Sequence, residues 1–190
     1  MKNIAPACVL SLAALLSVAL AVEPNHNALY RGTLMDLAPA PSVLGEKWVS
    51  ATGLVVEDFA DLESHPAEIR PAVESLKKQL EPLGIRKVAD FSFRVPDDPS
   101  HFVTLRVFVF DTPESCSRWW ATKYRHEGWE KFYKPVENAA YAAVDSTEAP
   151  KRAAALGNVW MTCHALKDTD NHVAVMEACV EKLLEASKSE

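Results

Sequence analysis

Two alternating runs on either side of a short Pro/Asp turn constrain this chain more than any other stretch. Val88 to Val95 sends Ala89, Phe91, Phe93 and Val95 one way and Val88, Asp90, Ser92 and Arg94 the other. Phe102 to Phe110 alternates again, with Val103, Leu105, Val107 and Val109 on one face. Its opposite face carries Phe102, Thr104, Arg106, Phe108 and Phe110. A two-residue period is that of a pleated strand, and PDDPS between the runs is turn chemistry, so the pair predicts an antiparallel hairpin.

The residues that follow read as a helix start. In Asp111-Thr112-Pro113-Glu114, Asp or Thr caps, proline suits the first helical position and glutamate favours the positive end of the dipole. The helix is expected to reach about His126 and stop at Gly128, with Trp129 to Tyr133 as a short strand. Cys116, Trp119 or Trp120, and Tyr124 share its candidate buried stripe. The adjacent Trp119 and Trp120 lie about 100° apart on a helix, so one of them is expected at an edge.

The plan recurs near the C-terminus. Tyr141 to Asp145 and Lys151 to Leu156 read as short strands, and Gly157-Asn158 is a hairpin signal. Val159 to Leu166 is the last strand, with Val159, Met161, Cys163 and Ala165 opposite Trp160, Thr162, His164 and Leu166. Asn171 caps a final helix lined by Val173, Met176, Val180 and Leu183. Upstream, Lys47 to Phe59 reads as a strand bent or bulged at Gly53. Ala67 to Glu81 is an amphipathic helix whose Pro71 leaves either a start near Arg70 or a loose first turn. Pro82 and Gly84 end it. Helices alternating with hairpins predict an α+β fold, one antiparallel sheet with helices on one face, ferredoxin-like or a close variant.

The N-terminus predicts the compartment. Lys2, the apolar run Ile4 to Leu20 and the small-x-small site Ala19-Leu20-Ala21 make the three parts of a secretory signal peptide over residues 1–21. The reading is therefore of a secreted or periplasmic protein with no membrane anchor after cleavage. Residues 22–46, with Pro24, Pro39 and Pro41, form an irregular lead-in, and 47–188 a single α+β domain. The net charge of −6 includes Lys2 and becomes −7 without it. An acidic chain lacking a basic cluster is a poor ligand for nucleic acid.

Of the four cysteines, Cys116, Cys163 and Cys179 lie beyond the leader. An oxidising compartment favours one bond, and Cys163–Cys179 is the leading pair, ahead of a bond using Cys116 or none. No Cys-x-x-Cys supports a dithiol cycle, and no histidine pair has metal-ligand spacing, so no metal or cofactor is expected. A G-x-S-x-G elbow, a phosphate-binding loop and a dinucleotide fingerprint are all missing from the sequence.

The chemistry expected is that of a surface. If helices cover the Val103/Leu105/Val107 side, the reverse collects Arg94, Thr104, Arg106, Phe108, Phe110, Trp160, Thr162 and His164, of which Arg94, Arg106, Phe108, Trp160 and His164 are the candidate binding residues. Aromatic and cationic groups interleaved in this way suggest cover by the N-terminal segment, by a second copy as a homodimer, or by an anionic or aromatic ligand. The leading expectation is an exported, non-enzymatic domain that binds a small molecule or protein partner through this face. One alternative is an exported enzyme of the ferredoxin-like barrel kind, with Arg106 and His164 in a pocket between subunits. The other is a structural envelope or secretion accessory protein.

Overall fold

The computed structural model describes residues 29–126, 142–146, 151–166 and 171–188. The leader and the expected strand at Trp129–Tyr133 lie outside these residues. Six strands form one open sheet: β1 (Val49–Val56), β2 (Ile85–Val95), β3 (Asp98–Phe110), β4 (Ala142–Ser146), β5 (Lys151–Leu156) and β6 (Val159–Ala165). Their order is β1-β2-β3-β6-β5-β4, and every neighbouring pair is antiparallel. The helices are α1 (Leu34–Leu37), α2 (Arg70–Leu80), α3 (Pro113–His126) and α4 (Asn171–Lys188). In a ferredoxin-like sheet, strands joined through a helix are separated by another strand, the split β-α-β arrangement. Here β1 and β2 flank α2 and are direct neighbours. The α+β sheet is as expected, but its order is not ferredoxin-like.

The β2–β3 hairpin carries a register change that matters downstream. At its tip Val95 faces Asp98, whereas the next pair is Arg94 with Phe102. Pro99, Ser100 and His101 are therefore extra residues on β3. The carboxylate of Asp98 holds them, accepting from the Ser100 amide at 2.9 Å, from the Ser100 hydroxyl, and meeting His101 Nδ1 at 2.7 Å. Beyond this bulge, Asp90 lies opposite Arg106 and Val88 opposite Phe108. A second irregularity sits in β1 between Ala51 and Leu54. Gly53 occupies it, and a Cβ there would be driven into the carbonyl oxygen of Asp90.

Helices cover both faces of the sheet, which corrects the one-sided expectation. On one face α4 packs against β3, β5 and β6, burying Val103, Leu105, Val107, Met161 and Cys163 against Val175, Met176 and Leu183. On the other, α2 and α3 pack over Val56, Val88, Phe108, Phe110, Ala153 and Trp160. Connectors decide the side. α3 begins at Pro113, three residues after β3 ends, with the Thr112 hydroxyl accepting from Ser115 N at 3.1 Å. The Gly157-Asn158 turn joins β5 and β6, with Gly157 at φ 55 supplying the positive φ that a hairpin turn needs.

The lead-in is described from residue 29 onward. Thr33 and Asp36 form a capping box around the single turn of α1, whose Leu34 and Leu37 are buried with α4 and β2. Asn158 ties this segment down. Its side chain accepts from Tyr30 N at 2.6 Å and donates to Phe110 O at 2.8 Å. The described part of the lead-in, residues 29–46, thus packs against the α4 face and not against the aromatic face that this segment was one candidate to cover.

Cys116, Cys163 and Cys179 are free thiols, so the expected Cys163–Cys179 bond is not made. Both residues are buried in the layer between sheet and α4. Packed layers stand about 10 Å apart, more than the roughly 7 Å that Cα atoms span across a disulfide. Burial pushes the Cys179 thiol up to about 12 and Cys163 well above the ordinary thiol range, with nearby Cys179 adding to the rise at Cys163.

Candidate functional site

Strand reach explains why one face is only half covered. β3 has 13 residues and extends about 43 Å at roughly 3.3 Å per residue. α2 has 11 residues and α3 has 14, spanning about 16 and 21 Å at 1.5 Å per residue. The two helices roof the row Val56–Val88–Phe108–Trp160, and in the following row Arg106 is exposed while Thr162 is still buried. The next row is Leu54–Asp90–Arg106–Thr162, and beyond it lie Ser92, Thr104 and His164. At the step between roofed and open rows lies a cleft of about 330 Å³.

The inner wall of this cleft is aromatic. Phe108 and Trp160 stack across β3 and β6 at 5.4 Å with 30° between their planes. Trp119 descends from α3, its ring at 5.9 Å from Phe108 and 6.0 Å from Trp160, edge-on to the latter. Leu76 and Leu80 of α2 close the other side. Phe108 and Trp160 are 6% and 4% exposed, so they are core residues that also line a cavity.

The floor is polar. Arg106 grips Asp90 in a bidentate pair, Nε donating to Oδ1 at 2.6 Å and Nη2 to Oδ2 at 2.8 Å. These hydrogen bonds raise the guanidinium pKa further above its ordinary value. The pair is half exposed and contributes about 1 kcal/mol or less to stability. Beside it, Thr162 is 7% exposed, and its hydroxyl has no hydrogen-bond partner. The indole N–H of Trp160 has none either. Each such buried polar atom costs roughly 1–3 kcal/mol when left unmatched.

Four of the five residues singled out from sequence meet at this cleft: Arg106, Phe108, Trp160 and His164. Arg94 shares their sheet face but does not line the cavity. The face is not bare, because α2 and α3 already bury Phe108 and Trp160. Sequence reasoning places Thr162 on this face but does not single out Asp90 or Trp119 as site residues. Asp90 was legible as an inward neighbour of Arg94 on the same alternating run, but its pairing with Arg106 depends on the β3 bulge. A polar groove of about 340 Å³, lined by Glu81, Gly84, Asp111, Ser115 and Arg118, lies on the far side of Trp119. Among the described residues, no group of three His, Cys, Asp or Glu side chains is placed to hold a metal ion, and no helix is long and apolar enough to cross a membrane.

No protein-family model matches the chain, and no curated protein does. Among solved structures, the extracellular domain of PknH from Mycobacterium tuberculosis is similar, with 13% sequence identity and a TM-score of 0.47 over 87% of this chain and 100% of that one. A likeness that distant transfers neither fold nor function, and the reading of the site rests on its own geometry.

Proposed function

We propose that this protein is an exported binding domain whose ligand is a small molecule held in the cleft between α2 and α3. The observation that carries the reading is the pair of unmatched buried polar groups, Trp160 Nε1 and Thr162 Oγ1, in residues that line a cavity. A folded protein tolerates such groups at a cost, and a ligand that satisfies them recovers it. The cavity volume falls at the lower end for small-molecule sites, and its mix of apolar wall and few polar groups is typical of them. The signal-peptide pattern of residues 1–21 supports export. A protein partner or a second copy fits less well, since α2 and α3 already cover the aromatic part of this face.

The test is a fragment screen read by the indole N–H resonances in two-dimensional ¹H–¹⁵N spectra. Fragments that bind are expected to move the Trp160 and Trp119 signals and to leave Trp48 unmoved. Trp48 packs edge-on against His101 in the lead-in to β1, away from the cleft. A screen in which no fragment moves Trp160 would overturn the reading.

A further inference from the structure

The polarity of the cleft says more about its ligand than its size does. An indole N–H is only ever a donor, and that of Trp160 is unmatched and buried. The Thr162 hydroxyl, also unmatched, donates or accepts. Arg106 has five N–H groups, and its hydrogen bonds to Asp90 use Nε and Nη2, which leaves Nη1 directed elsewhere. Thr162 is the direct cross-strand neighbour of Arg106, and Trp160 lies two residues along the same strand, on the same face. Two donors, Trp160 Nε1 and Arg106 Nη1, and one hydroxyl that serves as either therefore gather over adjacent positions at the foot of an apolar wall, with Gln79 and His164 also lining the cleft. The carboxylate that faces them, Asp90, is held by Arg106.

We infer that the cleft takes a small amphipathic carboxylate, its apolar body against Trp160, Trp119 and Leu76 and its carboxylate on Arg106 and Thr162, in competition with Asp90. This rests on the small-molecule reading above and adds the ligand's charge and Asp90's role. Asp90 is the internal counter-ion that keeps the guanidinium neutralised and aligned when the cleft is empty. A ligand carboxylate then shares or displaces it, and charge-assisted bidentate geometry makes Arg106 selective for that group. The presence of Asp90 lowers affinity for any anion, because like charges would crowd one guanidinium.

The test uses the whole chain and two matched probe pairs, indole-3-acetate with indole-3-acetamide and hexanoate with hexanamide, titrated by calorimetry at low ionic strength. Each carboxylate is expected to bind at least tenfold more tightly than its neutral amide, with the Trp160 N–H resonance shifted. Asp90→Asn is expected to tighten the carboxylates several-fold relative to their amides. Arg106→Gln is expected to erase the difference within each pair. Circular dichroism confirms that each variant is folded, and Arg106→Gln decides the matter if Asp90→Asn does not fold. Amides that bind as tightly as their acids, or Asp90→Asn weakening the acids, would sink the carboxylate assignment and leave the cleft a neutral-ligand site. If no probe moves Trp160, the assignment and the small-molecule reading fall together.

Discussion

Asp98 shows how one side chain reaches across a sheet. It sits at the hairpin tip and clamps the three extra residues of β3, and those residues set the register that brings Asp90 opposite Arg106. Hydrogen bonds from the Ser100 hydroxyl and amide, then from His101, hold its carboxyl down at about 2, against an ordinary value of 3.8. A depressed acid stabilises the fold above its ordinary pKa, and the stability is lost as pH falls through the folded value. Wild type is therefore expected to keep this contribution above about pH 4 and to lose it toward pH 2. Asp98→Asn should lower the urea midpoint at pH 6 and converge with wild type near pH 2. Parallel curves over that range would show that the clamp is not carboxylate-dependent. The same residue marks a limit of sequence reading. Counting outward from the Pro96-Asp97 turn pairs residues with the tip register, which places Asp90 opposite a core valine, on the wrong face. The alternation was legible, but a bulge stabilised by side-chain hydrogen bonds does not disturb it.

At the scale of elements, most of the plan was legible because burial follows period. Both long strands, the start of α2 at Arg70, the cap at Thr112, the turn at Gly157 and the extent of α3 follow from local chemistry. The side taken by each helix was not legible, because apolar residues on both faces of β3 and β6 leave either one able to accept a helix. Phe108, Phe110 and Trp160 signalled a second layer, but the signal is the same for a helix, a partner or a ligand. α1 was missed although Thr33-Leu34-Met35-Asp36 holds a capping box, since one turn shows no periodicity. The bend of β1 was read correctly at Gly53, and the structure gives the reason: backbone approach to Asp90. Gly53→Ala is expected to cost about 2 kcal/mol, in the range of overpacked sites. Urea denaturation measures it, and a loss below about 0.5 kcal/mol would show that β1 shifts freely at the bulge. Because the crowding falls on Asp90, the variant should also loosen the Asp90–Arg106 pair.

The described residues form one sheet with a packed layer on each side, and their three thiols sample both. Cys116, on α3, packs with Phe110 and Trp160 in one layer, while Cys163 on β6 and Cys179 on α4 lie in the other. Burial raises all three, Cys116 to about 12. Native thiols then stay neutral while unfolded ones ionise near 9, so stability is full below pH 9 and declines as pH rises beyond it. Since both layers share the same strands, peptide-resolved thiol labelling across a urea series is expected to show a single midpoint for all three sites. Earlier labelling of Cys116 would mean that the α2–α3 layer opens by itself. The mismatch between strand and helix lengths has a further implication for how such a chain diversifies. One more turn on α2 or α3 would add about 5.4 Å of roof and seal the groove over Arg106, and one turn fewer would lay the indoles bare. Insertions in two surface connectors would thus retune the size of guest admitted, leaving every strand pairing as it stands.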